Sequence, residues 1–91
     1  MEFVVSKEII YFNDDQGKLL AEVTFPEVRA GVVDIDHTFV DASLRGQGVA
    51  GQLMIAAYNE IKKSQRKAVY TCPYAVKWFA EHEEYQDISA E

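Results

Sequence analysis

The apolar pattern of this chain first changes period between residues 41 and 46, and that change limits what the chain can fold into. Before it, Val33, Ile35, His37 and Phe39 alternate with Asp34, Asp36 and Thr38, the two-residue period of a strand with one buried face. After it, Val49, Leu53, Ala56, Ala57 and Ile61 recur at helical spacing, with Glu60, Lys62 and Lys63 outside. This predicts a strand over residues 32–40 and a helix over residues 48–64. A short apolar segment at residues 67–72 then reads as a further strand. Strand, helix and strand form one βαβ unit with its two strands parallel.

Upstream, residues 8–12 are rich in β-branched and aromatic side chains and read as a strand. Asn13-Asp14-Asp15-Gln16-Gly17 is a cluster of turn formers, and residues 18–25 return as a second strand. In that strand Leu19, Ala21, Val23 and Phe25 share one face, while Glu22 and Thr24 share the other. Two neighbouring strands each carry a polar face, so the sheet is expected to be covered on one side and at least partly wet on the other. Pro26 ends the second strand and Gly31 marks the next reversal. Pro73 fits the first position of a second helix reaching about residue 85. The expected fold is one compact α/β domain over residues 1–91, a mixed and mostly antiparallel sheet in the order β-β-β-α-β-α.

At 91 residues there is room for one modest core. The net charge of −6 argues against nucleic acid as a partner, because that binding is mostly phosphate neutralisation by Lys and Arg. It favours a basic partner, with Glu22, Asp34 and Asp36 as candidate contacts on the wet face. No apolar run approaches the roughly 18 residues of a membrane span, so no membrane partner is expected. The N-terminus lacks the features of a secretory leader. Cys72 is the only cysteine, which excludes an internal disulfide and suits a reducing, cytoplasmic setting. The cluster at residues 81–84 contains one histidine among glutamates; zinc sites prefer several His or Cys ligands, so no metal is expected.

Arg45-Gly46-Gln47-Gly48-Val49-Ala50 carries the chemistry. It lies where a strand hands over to a helix, whose first amides are unpaired and partially positive. Two glycines let an anion approach the backbone, the first helical turn has no acid, and Arg45 adds charge. Such a terminus suits a phosphate or pyrophosphate. The plainer alternative is a glycine turn capped by Asp41 or Ser43. A Walker loop would need Gly-Lys-Ser/Thr, which is missing. Gly46, Gly48 and Gly51 match the dinucleotide fingerprint, but three strands come first and the next strand ends in Thr71-Cys72 rather than an acid.

Arg45-x-x-Gly48-x-Ala50 resembles the acyl-CoA signature of the GCN5-related N-acetyltransferases, Arg/Gln-x-x-Gly-x-Gly/Ala. The resemblance covers roughly residues 18–85. His37-Thr38-Phe39-Val40, the Arg-Gly-Gln-Gly loop and Cys72-Pro73-Tyr74 fit a compact subfamily of about this length. The resemblance implies acetyl-CoA as acyl donor, with its pyrophosphate on Arg45, Gly46, Gln47, Gly48, Val49 and Ala50. Its pantetheine would lie along the backbone of Thr38, Phe39 and Val40. It implies transfer of an acetyl group to a small amine or lysine-like acceptor. Two helices after the first strand and the last strands of the full family are missing, which leaves open a module that only binds acyl-CoA.

Acetyl transfer needs something to take the amine's proton and donors for the developing oxyanion. His37 is the candidate base, because histidine ordinarily titrates near neutrality. Its place among Ile35 and Phe39 also permits a core histidine bonded to backbone. Cys72, just before a helix N-terminus, is the candidate acyl acceptor or pocket-lining thiol, against a small buried hydrophobe. Trp78 and Tyr74 read as packing residues that could border the cofactor.

Overall fold

Asp14 builds the first hairpin. Its Oδ1 accepts from the amides of Gln16 and Lys18, each at 2.9 Å, and Gly17 closes the turn at φ +82°. The computed structural model describes residues 1–90. The strands on either side of this turn are β2 (Ile9–Asn13) and β3 (Leu19–Thr24), preceded by a short β1 (Val4–Val5). Then come β4 (Glu27–Arg29), β5 (Val32–Ile35), β6 (His37–Val40), α1 (Val49–Lys63), β7 (Lys67–Tyr70) and α2 (Pro73–Ala80). Short 3-10 turns occupy Ala42–Leu44 and Glu83–Ile88.

The strands form two sheets. β1, β2, β3 and β6 are antiparallel in that order; β4 pairs antiparallel with β5, and β5 pairs parallel with β7. The parallel β5–α1–β7 unit expected from the period change is present. The expected strand over residues 32–40, however, changes partner at Asp36. Two residues there face one: Asp36 donates its amide to Thr24 O at 3.2 Å, while His37 is the register partner of Thr24. This is a β-bulge, and it shifts the alternation by one residue. Val33 and Ile35 point into the core, but beyond the bulge Thr38 and Val40 oppose the buried Val23 and Ala21.

The core is the packing of one sheet face on α1. Ile10, Val23, Phe25, Val33 and Ile35 from the strand side meet Leu53, Met54 and Ile61 from α1, all fully buried. Each such side chain contributes about 1.5–3 kcal/mol by burial. Gly51 faces α2, where an added Cβ would stand in ordinary contact 3.4 Å from Trp78 Nε1.

The second helix stops at Ala80 rather than near residue 85. His82 Nδ1 donates to Trp78 O at 2.6 Å, and its ring stacks on Trp78 with centroids 4.0 Å apart. The side chain thus takes a carbonyl that a continuing helix would use, and the chain tightens into a 3-10 turn. His82 is a packing residue here. At the far edge of β7, Ser89 bridges to Ala68 and the Ala90 amide donates to Ala68 O at 2.9 Å.

Candidate functional site

The loop between β6 and α1 begins with a rigid corner. Asp41 Oδ2 accepts from the Ser43 hydroxyl at 2.7 Å and the Ser43 amide at 3.0 Å, capping the 3-10 turn. These bonds, the hydroxyl first, hold the Asp41 carboxyl below the usual carboxylate range. Asp41 therefore caps the turn, as the plainer reading of the loop has it, and leaves the start of α1 without a side-chain cap. The residue before α1 is Gly48 at φ +73°, with no side-chain cap, and Gly46 lies at φ +82°.

The consequence is a run of free donors. Among the described residues, none of the amides from Gly46 to Gly51 donates to another group; the first bonded amide is that of Gln52, to Gly48 O at 3.1 Å. An added Cβ at Gly46 or Gly48 would meet nothing within 4 Å, so the space over these amides is open. A cleft of about 160 Å³ lies there, lined by Val40, Arg45, Gly46, Gly48, Val49 and Ala50 with Leu44, Gly51 and Tyr74. Burial pushes the Tyr74 phenol up from its ordinary value, with the Glu81 charge adding to this. The broader hollow along β7 at Ala68 and Tyr70, about 340 Å³, has no comparable donor set.

From the cleft a notch runs down β6. This strand pairs only with β3, so its other edge has no strand partner. Because the Asp41 amide donates to Leu20 O across that pair, the alternation of antiparallel bonding turns the amides of His37 and Phe39 towards β3. The amides of Thr38 and Val40 face the open edge. On the other side, the amides of Thr71 and Cys72 both donate to Ile35 O, at 3.2 and 3.1 Å, and β7 then leaves the sheet. Asp34 reinforces this exit by accepting from the Thr71 amide and hydroxyl. Thr38 Oγ1 and Cys72 Sγ meet at 3.5 Å at the base of the notch.

Six of the nine sequence-predicted cofactor residues line the cleft: Val40, Arg45, Gly46, Gly48, Val49 and Ala50. Thr38 stands at the base of the notch, while Phe39 points to the opposite sheet face with its register partner Glu22. Gln47 is exposed, its Nε2 reaching Ser43 O at 3.4 Å. Tyr74, read from sequence as a packing residue that could border the cofactor, lines the cleft too, whereas Leu44 and Gly51 were not among the expected cofactor residues. Gly51, the third glycine of the fingerprint, was the available signal.

His37 is a correction. Expected on the apolar face with Val33 and Ile35, it lies on the exposed face because of the bulge, its side chain 55% accessible. There its Nε2 stands 3.3 Å from Glu22 Oε2. Cys72 is buried, on the side of β6 that Thr38 faces. The structure therefore sets the two reactive candidates on opposite faces of one strand.

An uncapped glycine loop beside an open strand edge and a splayed parallel neighbour defines an α/β domain suited to a phosphate-bearing ligand with an extended arm. The chain belongs to the GCN5-related N-acetyltransferase family, whose pattern it matches over residues 9–88. It is similar to a GCN5-like protein of Staphylococcus aureus solved by NMR, with 31% identity and a TM-score of 0.80 over 97% of this chain and 86% of that one. It is also similar to a GNAT family N-acetyltransferase of Escherichia coli in complex with CoA, with 25% identity and a TM-score of 0.60. That match covers 68% of this chain but only 38% of the Escherichia coli protein. An N-acetyltransferase of Staphylococcus aureus Mu50 shares 25% identity and a TM-score of 0.62, and this chain spans 50% of it. Among curated proteins, none matches the chain. Among the described residues, no helix is long and apolar enough to cross a membrane.

Proposed function

We propose that this protein binds acetyl-CoA and transfers its acetyl group to an amine, small or lysine-like, in a cytoplasmic setting. The observation that carries this reading is the row of six free amides from Gly46 to Gly51, continuous with the open edge of β6. In it the amides and Arg45 receive the pyrophosphate, and the amides of Thr38 and Val40 hold the pantetheine. The thioester then reaches the base of the notch near Thr38 and Cys72. The amine nitrogen attacks the thioester carbonyl carbon, the carbon–sulfur bond breaks, and CoA leaves as a thiolate that takes up a proton. The amine's surplus proton goes to a base. His37, with Glu22 3.3 Å from its Nε2, is the candidate for that base. Because it lies across β6 from Thr38 and Cys72, it serves only an acceptor that reaches the thioester from the exposed sheet face. Glu22 and Asp36 add negative charge there for a cationic acceptor.

A binding module that holds acyl-CoA without efficient turnover is favoured by one observation: His37 and Cys72 lie on opposite faces of β6. Release of free CoA from acetyl-CoA, followed with and without a panel of amines, tests the two. Amine-dependent release with an acetylated product identified by mass spectrometry supports transfer. Tight CoA binding with no release under any amine leaves the module. Absence of CoA binding by calorimetry overturns both.

A further inference from the structure

At the other end of α1, fifteen residues and about 22 Å from the glycine loop, a cation is buried with two of its three nitrogens unpartnered. Arg66 is 7% exposed, the only polar or charged residue in the buried set among the described residues. Its Nε donates to Ser64 Oγ at 2.6 Å, and its guanidinium stands 5.8 Å from the centroid of the Phe25 ring. Nη1 and Nη2 are sealed from bulk solvent and have no hydrogen-bond partner. The face of Phe25 answers part of the charge but cannot accept the in-plane N–H groups. A charged donor set buried in this way is costly unless an acceptor fills it.

The backbone holds the group in place. α1 ends with the Gln65 amide bonded to Lys62 O and the Arg66 amide bonded to Ile61 O, both at 3.0 Å. Gln65 takes φ +61°, the left-handed position that glycine usually fills after a helix. Arg66 is one wall of a hollow of about 330 Å³ whose other walls include Lys62, Gln65, Lys67 and Asp87. Residues 62–67 carry four of the chain's nine Lys and Arg residues, in a protein of net charge −6. Asp87 is the one carboxylate in the hollow; its Oδ2 lies 2.9 Å from Lys62 Nζ, and its backbone oxygen accepts from Lys67 Nζ at 2.8 Å. Three cations against that carboxylate leave an excess of two positive charges.

The geometry points to a second ligand site here, which takes a small oxyanion, a phosphate or carboxylate group gripped by the Nη1–Nη2 fork of Arg66 with Lys67 beside it. Two parallel N–H donors match two oxygens of such a group, which a point charge does not. Three other residues lining the hollow, Lys62, Gln65 and Lys67, are exposed and carry long side chains that can swing aside to admit it. This site is independent of the acyl-CoA reading and far from its loop.

The test is an NMR titration of the full chain, observing arginine side-chain nitrogens, with inorganic phosphate in one arm and acetate in the other. Ionic strength is held constant with chloride, and each arm is repeated with excess CoA to occupy the glycine loop. Saturable shifts at Arg66 but not at Arg29, unchanged by CoA, are expected in at least one arm, and the responding arm says which oxyanion fits. A parallel melting series in phosphate should show a rise in Tm that Arg66→Met lacks. Should Arg66→Met fail to fold, the titration of the unaltered chain decides alone. Shifts at Arg66 that are absent, or linear and equal to those at Arg29, overturn the proposal, as does a phosphate response retained in Arg66→Met.

Discussion

Thr38 Oγ1 lies 3.5 Å from Cys72 Sγ, and this contact ties β6 to the entrance of α2 at the point where β7 has left the sheet. It closes the base of a notch whose upper end is the glycine loop. The notch exists because the two strands flanking it belong to different sheets: β6 pairs with β3, and β7 pairs with β5. A ligand arm can then bond to the edge amides of Thr38 and Val40 without displacing a strand.

Gly48 is the most sensitive position in the loop. Gly48→Val places a branched side chain in the open space over the amides and should abolish CoA binding by calorimetry. The left-handed φ of +73° adds a stability cost of about 1–2 kcal/mol. Gly17 provides the control, with φ +82° and equally open surroundings but no place in the cleft. Gly17→Val should lower Tm comparably and leave CoA affinity unchanged. Equal loss of affinity in both variants would trace the effect to folding.

Arg45 is exposed and supplies charge rather than packing. Arg45→Ala should weaken CoA by about 1–2 kcal/mol, the usual worth of a charge-assisted contact, with little change in Tm. The loss should shrink for a dephosphorylated pantetheine fragment. An unaltered Kd would place the pyrophosphate away from this side chain.

Hydrogen exchange tests the open edge of β6. In the free protein the Thr38 and Val40 amides should exchange faster than those of His37 and Phe39, which bond to β3. Saturation with CoA should slow Thr38 and Val40 selectively. Protection confined to α1 would remove the pantetheine from this strand.

Asp41 should show an acid-side response. Its carboxyl is held below the ordinary value chiefly by the Ser43 hydroxyl, so this contribution is present above the unfolded pKa and is lost as pH falls through the folded one. Carbon-detected NMR should place its titration midpoint below that of an unperturbed aspartate near pH 3.9. In Ser43→Ala the midpoint should rise towards that value. A midpoint unmoved by the substitution would show that the corner is held by something else.

The two reactive candidates give opposite signatures. With His37 as base in direct transfer, His37→Ala should lower the rate by roughly 10²–10⁴-fold and no covalent adduct should form. With Cys72 as nucleophile, acetyl-CoA alone should leave a hydroxylamine-sensitive adduct that Cys72→Ala lacks. The exposed His37–Glu22 pair favours the first outcome. An adduct that forms and decays as fast as turnover would reverse that preference, and full activity in both variants would leave proximity alone as the catalyst.

Much of this architecture is written in local chemistry. The Asp14–Gly17 turn, the break at Pro26, the switch to helical spacing after residue 48 and the Pro73 helix start depend on a few adjacent residues, and each appears where its residue types require. The glycine loop is legible as a strand-to-helix corner, while the chain left open whether Asp41 or Ser43 caps it. The structure shows Asp41 capping the turn and no side chain capping α1. What the chain alone could not disclose begins at Asp36. A two-residue period assigns faces only until an extra residue interrupts it. Whether Asp36 is paired or bulged depends on Thr24, twelve residues away in sequence and adjacent only in the folded sheet. That one slip moves His37 from the core to Glu22, turns Thr38 towards Cys72, and hands one segment to two sheets. The burial of Arg66 has the same origin. Its position next to Phe25 follows from how the end of α1 meets the strands, and side-chain type gives no sign of it. Local propensity determined the elements, while long-range strand pairing and packing decided which side chains meet.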